Sequence, residues 1–212
     1  MADKLTDKQI ADLAAILAKN DASTDAKVHA VNAVKSGIKQ HNVPETCVSQ
    51  LFDALRTASA SQHAVLTHAG FSSLNHLLTR LSRQEPRFIV KEAMRTMPTV
   101  IEKLGDPKEK LRTIAAQALT TMYGVASTEV ERGVRNTAMA GKNSRAKEAS
   151  MNWLVAMHRD QGLPFRAYVP LLMDLLEDAD GMVRDVAKTT VIELFKYVAA
   201  TPLPRRASLV KG

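Results

Sequence analysis

Apolar residues recur along this chain at the i, i+3, i+4, i+7 spacing of an amphipathic helix, in runs of several turns separated by short polar breaks. Thr6 and Gln9 stand three apart ahead of Ile10, Leu13, Ala14 and Leu17, the spacing of a capping box at the start of a first helix. After a break at 20–24, a second helix from about Thr24 to Gln40 puts Val28, Val31, Val34 and Ile38 on one face, and the His-Asn-Val-Pro run at 41–44 ends it. The pair recurs. Val48, Leu51, Phe52 and Leu55 form the next stripe, and Leu74, Leu77, Leu78 and Leu81 follow after the small-residue loop Thr57 to Gln62. Pro86 opens a third pair whose first helix turns Val90, Ala93, Met97, Val100 and Leu104 inward. Gly105, Asp106 and Pro107 make its turn, with Asp106 as N-cap, Pro107 at the first helical position and Glu109 adding negative charge at the helix start. Leu111, Ile114, Ala115, Ala118, Leu119 and Met122 then form a stripe broad enough for a layer buried on two sides. Thr128 and Glu131 are spaced as the capping box of a fourth pair that starts near Ser127, turns at 140–144 and ends around 162–164. A fifth runs from Phe165 to about Ala199, with its turn at Asp178 to Gly181.

Three of these stretches repeat one another: LGDPKEKLRTIAAQAL at 104–119, AGKNSRAKEASMNWL at 140–154 and LEDADGMVRDVAKTTV at 176–191. Their basic residues Arg112, Lys147 and Arg184 lie 35 and 37 residues apart. A period of that length marks stacked two-helix units, each leaving an apolar face that only its neighbour covers. The expectation is an all-α fold, an α-solenoid of five helix pairs at about 6–41, 44–83, 86–124, 127–161 and 165–200, in a single domain over 1–212. Residues 201–212 read as a tail or the start of a partial sixth pair. A missing terminal unit would leave apolar residues of the fifth exposed.

Composition narrows the function. Aromatics are 4% of the chain, little for a β-sheet core or a base-stacking surface. The net charge of +7 and a pI near 9.6 favour acidic partners. Cys47 has no second cysteine to pair with and falls in an apolar stretch, which fits a reducing compartment and the role of a small buried hydrophobe. The start MADKLTDKQIADL has no apolar h-region, and no apolar run reaches membrane-spanning length, so the chain reads as soluble and intracellular, with no membrane partner.

Each pair has an inner turn followed by a basic residue or a His: Lys27, His63, Arg112, Lys147 and Arg184. Stacking with small rotation would set these turns along one ridge. Two roles compete for the cations. Asp21, Asp106 and Asp178 each precede a cation by six residues, the spacing of an Asp/Arg ladder tying neighbouring turns together; alternatively the cations contact a partner. The tips are the better contact candidates: Lys108 and Lys110 in the third turn, and Lys142, Asn143 and Arg145 in the fourth, have only Glu109 and Glu148 nearby.

Other chemistry is sparse. The six histidines show no repeated metal spacing, with His63 and His68 five apart, so neither metal nor cofactor is expected. Trp153, beside Leu154 and Met157, reads as core, as do the nine methionines. There is no nucleophile with a base, no Gly-rich phosphate loop and no H-E-x-x-H, so the chain reads as a non-enzyme. Arg205-Arg206-Ala207-Ser208 has the Arg-Arg-x-Ser pattern of basophilic kinase sites, where a phosphate would add negative charge to a basic tail.

The turns LGDPKEKLR and AGKNSRAKEASMNWL, with the phrase LLEDADGMVRDVAKTTVIELF, resemble the HEAT repeats of a TOG domain, and are most similar to the N-terminal TOG domain of fungal CLASP-family microtubule-associated proteins. The resemblance covers nearly the whole chain. It implies a TOG-type paddle whose inner turns dock tubulin or microtubules, a role in stabilising spindle microtubules during mitosis, and a place in the cytoplasm, cytoskeleton, mitotic spindle and, in some settings, the nucleus. Carried onto this chain, the turns are Asp21 to Lys27, Ser59 to His63, Gly105 to Arg112, Gly141 to Lys147 and Asp178 to Arg184. The candidate contacts are Thr24, Lys27, Gln62, Lys108, Lys110, Arg112, Lys142, Asn143, Arg145, Lys147 and Arg184. Many tubulin-binding TOG domains carry a Trp where this chain has Thr24, and a Trp anchor is the sort of residue that dominates an interface. Its absence keeps a second reading open, a HEAT scaffold that binds a kinetochore or other mitotic protein. Nucleic acid is disfavoured because the surplus charge lies largely at turns. The isolated domain is expected to be monomeric.

Overall fold

The computed structural model describes residues 5–200. The expected tail at 201–212, with its Arg-Arg-x-Ser pattern, lies outside the described residues. Nine α-helices occur among the described residues: α1 (Asp7–Ala18), α2 (Thr24–Gln40), α3 (Val48–Ser59), α4 (Ala64–Gln84), α5 (Arg87–Leu104), α6 (Glu109–Gly133), α7 (Ser144–Gln161), α8 (Val169–Leu176) and α9 (Gly181–Ala200). Short 3₁₀ turns at Glu45–Cys47 and Phe165–Tyr168 lead into α3 and α8, and a π-helical turn at Val134–Met139 follows α6.

The chain divides into two compact units, 1–150 and 151–212. In the first, α1, α3 and α5 form one layer and α2, α4 and α6 the other; each helix packs on its hairpin partner and on its neighbours in the layer. The core follows the apolar stripes. Ile10, Leu13, Val31, Ile38, Leu51, Phe52, Leu55, Leu74, Leu77, Leu78 and Leu81 are all buried, each contributing about 1.5–3 kcal/mol relative to an exposed position. Thr6 closes the expected capping box on α1, accepting from Gln9 N while its own N–H donates to Gln9 Oε1. Cys47 is buried and donates to Pro44 O, and burial together with the Asp7 carboxylate pushes its thiol up to about 11.

Three local expectations fail for physical reasons. Val90 is 47% exposed and Ile89 takes the buried place, because the inner face of α5 runs through Ile89, Ala93 and Met97 at four-residue steps. The helix after the third turn begins at Glu109, not Pro107; Asp106 Oδ1 instead accepts from Lys108 N, closing a local turn that delays the helix. Thr128 and Glu131 cap nothing. Ala126 (φ −141°, ψ 50°) is non-helical and divides α6 into two helices that meet at a kink; the fourth pair thus starts just after it, as expected near Ser127, and Thr128 falls inside the first turn and not at its cap.

Polar burial joins α3 to α5. Glu92 is 3% exposed and receives hydrogen bonds from Ser49 Oγ (2.9 Å) and Arg56 Nη1 (3.0 Å), and the same Arg56 nitrogen reaches Thr96 Oγ1 at 3.0 Å. Asp53 and Arg95 extend the network to the surface.

The second unit holds the C-terminal part of α7 with α8 and α9, the last two packed together. Trp153, Leu154 and Met157 of α7 are buried, as the apolar pattern implies. His158 Nδ1 donates to Leu163 O (2.8 Å), and the ring lies edge-on to Phe165, which in turn meets Phe195. On the fifth pair Met173, Met182, Ile192 and Phe195 are exposed.

Candidate docking turns

The turns of the first unit differ in chemistry. In the first, Ser23 is the N-cap of α2 and accepts from Ala26 N; Thr24 and Lys27 are half-buried, and Asp21 and Asp25 are exposed in the same turn. The second exposes Gln62 and His63, while Ser61 and Thr67 close its loop: His63 N donates to Ser61 Oγ and Thr67 Oγ1 to Ser61 O. The third and fourth are basic. Lys108, Lys110, Lys142 and Arg145 are exposed, and the side chains of Lys108, Lys142 and Arg145 make no hydrogen bond or ion pair among the described residues. A shallow groove of about 260 Å³ separates the second turn from the third, lined by Ser61, Ala64, Thr67, Lys103, Asp106 and Lys108. Lys103, buried on its floor, is paired with Glu102 at 2.7 Å.

Asn143 has a structural task. Its Oδ1 accepts from Ala146 N, capping α7, and its Nδ2 donates to Gly105 O across to the third turn. A Cβ on Gly105 would collide with the Asn143 amide, so the two turns approach closely only because that position is glycine. Asn143→Ala is therefore expected to cost about 1–2 kcal/mol through the lost cap and tie. Asn143→Asp, which keeps the cap acceptor, should cost less; urea denaturation of both variants checks this.

Arg112 and Arg184 also serve the scaffold. Arg112 Nη1 donates to Asp106 O and Pro107 O, both at 2.8 Å. In the second unit Arg184 Nη1 donates to Asp178 O (2.7 Å) and Ala179 O (3.1 Å). The six-residue spacing thus lets a guanidinium fold back onto its own turn's carbonyls. Lys147, the equivalent residue of the fourth turn, is half-buried.

No group of three or more His, Cys, Asp or Glu that could hold a metal occurs among the described residues, and no described helix is long and apolar enough to cross a membrane.

The family model described as CLASP N terminal matches residues 6–203. This chain belongs to the CLASP N-terminal family. It is 65% identical to Protein stu-1 of Neurospora crassa over 95% of its own length, and 64% identical to Protein STU1 of Gibberella zeae over 92%. It spans only 18% and 17% of those two proteins. Among solved structures, a MAST/Orbit N-terminal domain superposes with a TM-score of 0.79 at 19% identity, covering 93% of this chain and 86% of that one. A structure from work on TOG–tubulin binding specificity gives 0.70 at 15% identity, covering 91% and 84%. The fold of the CLASP N-terminal chain is that of TOG-type HEAT solenoids, a structural domain class and not a known enzyme family.

The sequence sets the tips Lys108, Lys110, Lys142, Asn143 and Arg145 ahead of Arg112 and Arg184 as contact candidates and leaves the two arginines open between ladder and contact. The structure separates Arg112, Arg184 and Asn143, whose side chains hold the turns, from Lys108, Lys142 and Arg145, which are free to meet a partner. The sequence signals for that division are the six-residue lag of the two clasping arginines and the few acidic residues near the tips; nothing in the sequence marks Asn143 as the tie.

Proposed function

We propose that this domain is a non-catalytic, monomeric tubulin-binding module, acting as one unit over 1–212 in a CLASP-type protein that stabilises microtubules and supports the mitotic spindle. The observation that carries this reading is the pair of exposed basic tips, Lys108 on one turn and Lys142 with Arg145 on the next, held together by the Asn143 to Gly105 hydrogen bond. Rigid presentation of cations at fixed spacing suits an acidic protein surface, giving steering and register. The TOG-type fold supports the same partner, as does the tubulin-binding context of the second solved neighbour. The domain would work in the cytoplasm on the cytoskeleton and spindle, and in the nucleus where spindles form inside it. As a single module it would contribute modest affinity, multiplied by other modules of a longer chain.

The test is size-exclusion co-migration with unpolymerised tubulin at low salt and near physiological ionic strength. Binding should persist and fall about tenfold or more in K108E/K142E/R145E at an unchanged melting temperature. Equal co-migration of the variant would overturn the assignment.

A second reading is favoured by the first two turns. Thr24 is a half-buried small residue behind the Ser23 cap, and the second turn offers only Ser61, Gln62 and His63, so neither supplies an aromatic anchor. No co-migration at either salt would turn the assignment to a scaffold for kinetochore or other mitotic proteins.

A further inference from the structure

Positive charge also collects away from the turns. No Asp or Glu occurs in α2 after Asp25, anywhere in α4, or in α6 from Lys110 to Thr128. The opposite layer, α1, α3 and α5, carries Asp7, Asp12, Asp53, Glu92 and Glu102. Where the C-terminal halves of α2 and α4 pack side by side, a groove of about 210 Å³ is lined by Ile38, Lys39, His76, Thr79, Arg80 and Arg83.

These cations divide by task. Arg80 closes the end of α2, donating from Nε to Ile38 O at 2.9 Å and from Nη2 to Lys39 O. Lys39 and Arg83 are exposed, and their side chains make no hydrogen bond or ion pair among the described residues. One turn before Lys39, Lys35 donates to Ser72 Oγ at 2.8 Å, so its ammonium is fixed beside α4. His68, Ser72 and His76 follow one another at four-residue steps along α4 toward Arg83. His68 Nε2 is buried with no hydrogen-bond partner. Burial first, then the surrounding Lys35 and Lys39, hold His76 below its ordinary value; burial, then Lys110, Lys35 and Lys108, do the same for His68. The neighbouring lysines thus add to the effect of burial, and no carboxylate on α2 or α4 near this face offsets them.

We propose that this α2/α4 groove, with the strip leading to it from His68, binds an extended carboxylate-rich segment of a partner protein. From His68 to Arg83 the strip measures about 22 Å at ~1.5 Å per residue of helix, which matches an extended peptide of about six or seven residues at ~3.3 Å each. Its donors are ammonium and guanidinium groups with the Ser72 hydroxyl, suited to side-chain carboxylates and backbone carbonyls spread along a chain. It offers no stacking platform for bases, because Phe71, the only aromatic ring of α2 and α4 apart from histidine, is buried. The one aliphatic side chain of the groove, Ile38, is buried as well, so there is nothing to insert into a bilayer.

Fluorescence anisotropy with a labelled oligoglutamate of about eight residues tests this, with oligoglutamine as control. The oligoglutamate should bind at low salt, and the surface double reversal K39E/R83E should weaken it about tenfold or more. Chemical-shift changes should centre on His76 and Thr79. The turn variant K142E/R145E, which leaves Lys108 beside His68 in place, should bind it as the parent does, which separates this site from the tubulin assignment. Undiminished binding by K39E/R83E, no binding of oligoglutamate at low salt, or tighter binding of a single-stranded RNA of similar length would each overturn the proposal.

Discussion

Arg56→Met is expected to lower the unfolding free energy by about 3–5 kcal/mol, the cost of leaving a buried carboxylate without its counter-ion. Glu92 is 3% exposed and its close cation is Arg56, at 3.0 Å; removing that guanidinium leaves it the Ser49 hydroxyl and a 3.5 Å contact to the exposed Arg95. Thr96 Oγ1 loses the same donor. The double variant R56M/E92L should recover most of the loss, because two desolvated charges are then replaced by apolar groups of similar volume. Urea denaturation reads both. A cost below about 1 kcal/mol for the single variant would mean that water reaches Glu92 and that the network is only a surface ion pair.

The second large effect is steric. A Cβ on Gly70 would sit 2.6 Å from Ala58 Cβ and 2.7 Å from the backbone carbon of Ala58 and nitrogen of Ser59, so α4 touches the backbone of α3 there. G70A should therefore destabilise by about 1–3 kcal/mol, even though alanine is the better helix former. Gly124 is the internal control, since nothing lies within 4 Å of its Cβ position in α6. G124A should stabilise by about 0.5–1 kcal/mol. Thermal or chemical melts of the two variants should move in opposite directions; a shared sign would show that the contact between α3 and α4 relaxes freely.

What the sequence made legible was the part of the structure that is periodic. The stripes through Val48, Leu51, Phe52 and Leu55 and through Leu74, Leu77, Leu78 and Leu81 are buried throughout, and the Thr6/Gln9 box forms as spaced. Those signals are local or repeat at fixed intervals. Illegible features depend on partners far along the chain. Glu92 looks like a solvated face residue until Arg56, 36 residues earlier, is brought against it. Val90 and Ile89 are equally apolar, so only the direction of the α5 face decides which is buried. The Thr128/Glu131 pair has sound capping spacing, but the break falls at Ala126, two residues earlier, so Thr128 stands inside the new helix and not at its cap. At the turns, residue type marked where cations lie. Whether each clasps its own carbonyls, as Arg112 does, or stands clear, as Lys142 does, depends on how the turn closes.

The one-residue joint at Ala126 has an evolutionary consequence. Where neighbouring units are joined by a connector, as at 41–44 or 85–86, residues can be gained or lost without disturbing either helix. At Ala126 the joint is a single non-helical residue with no loop to absorb an insertion, so an added residue would displace the start of the following helix against the one before it. The third and fourth repeats are thus bound to change together, and length variation among homologues should be found at the other joints.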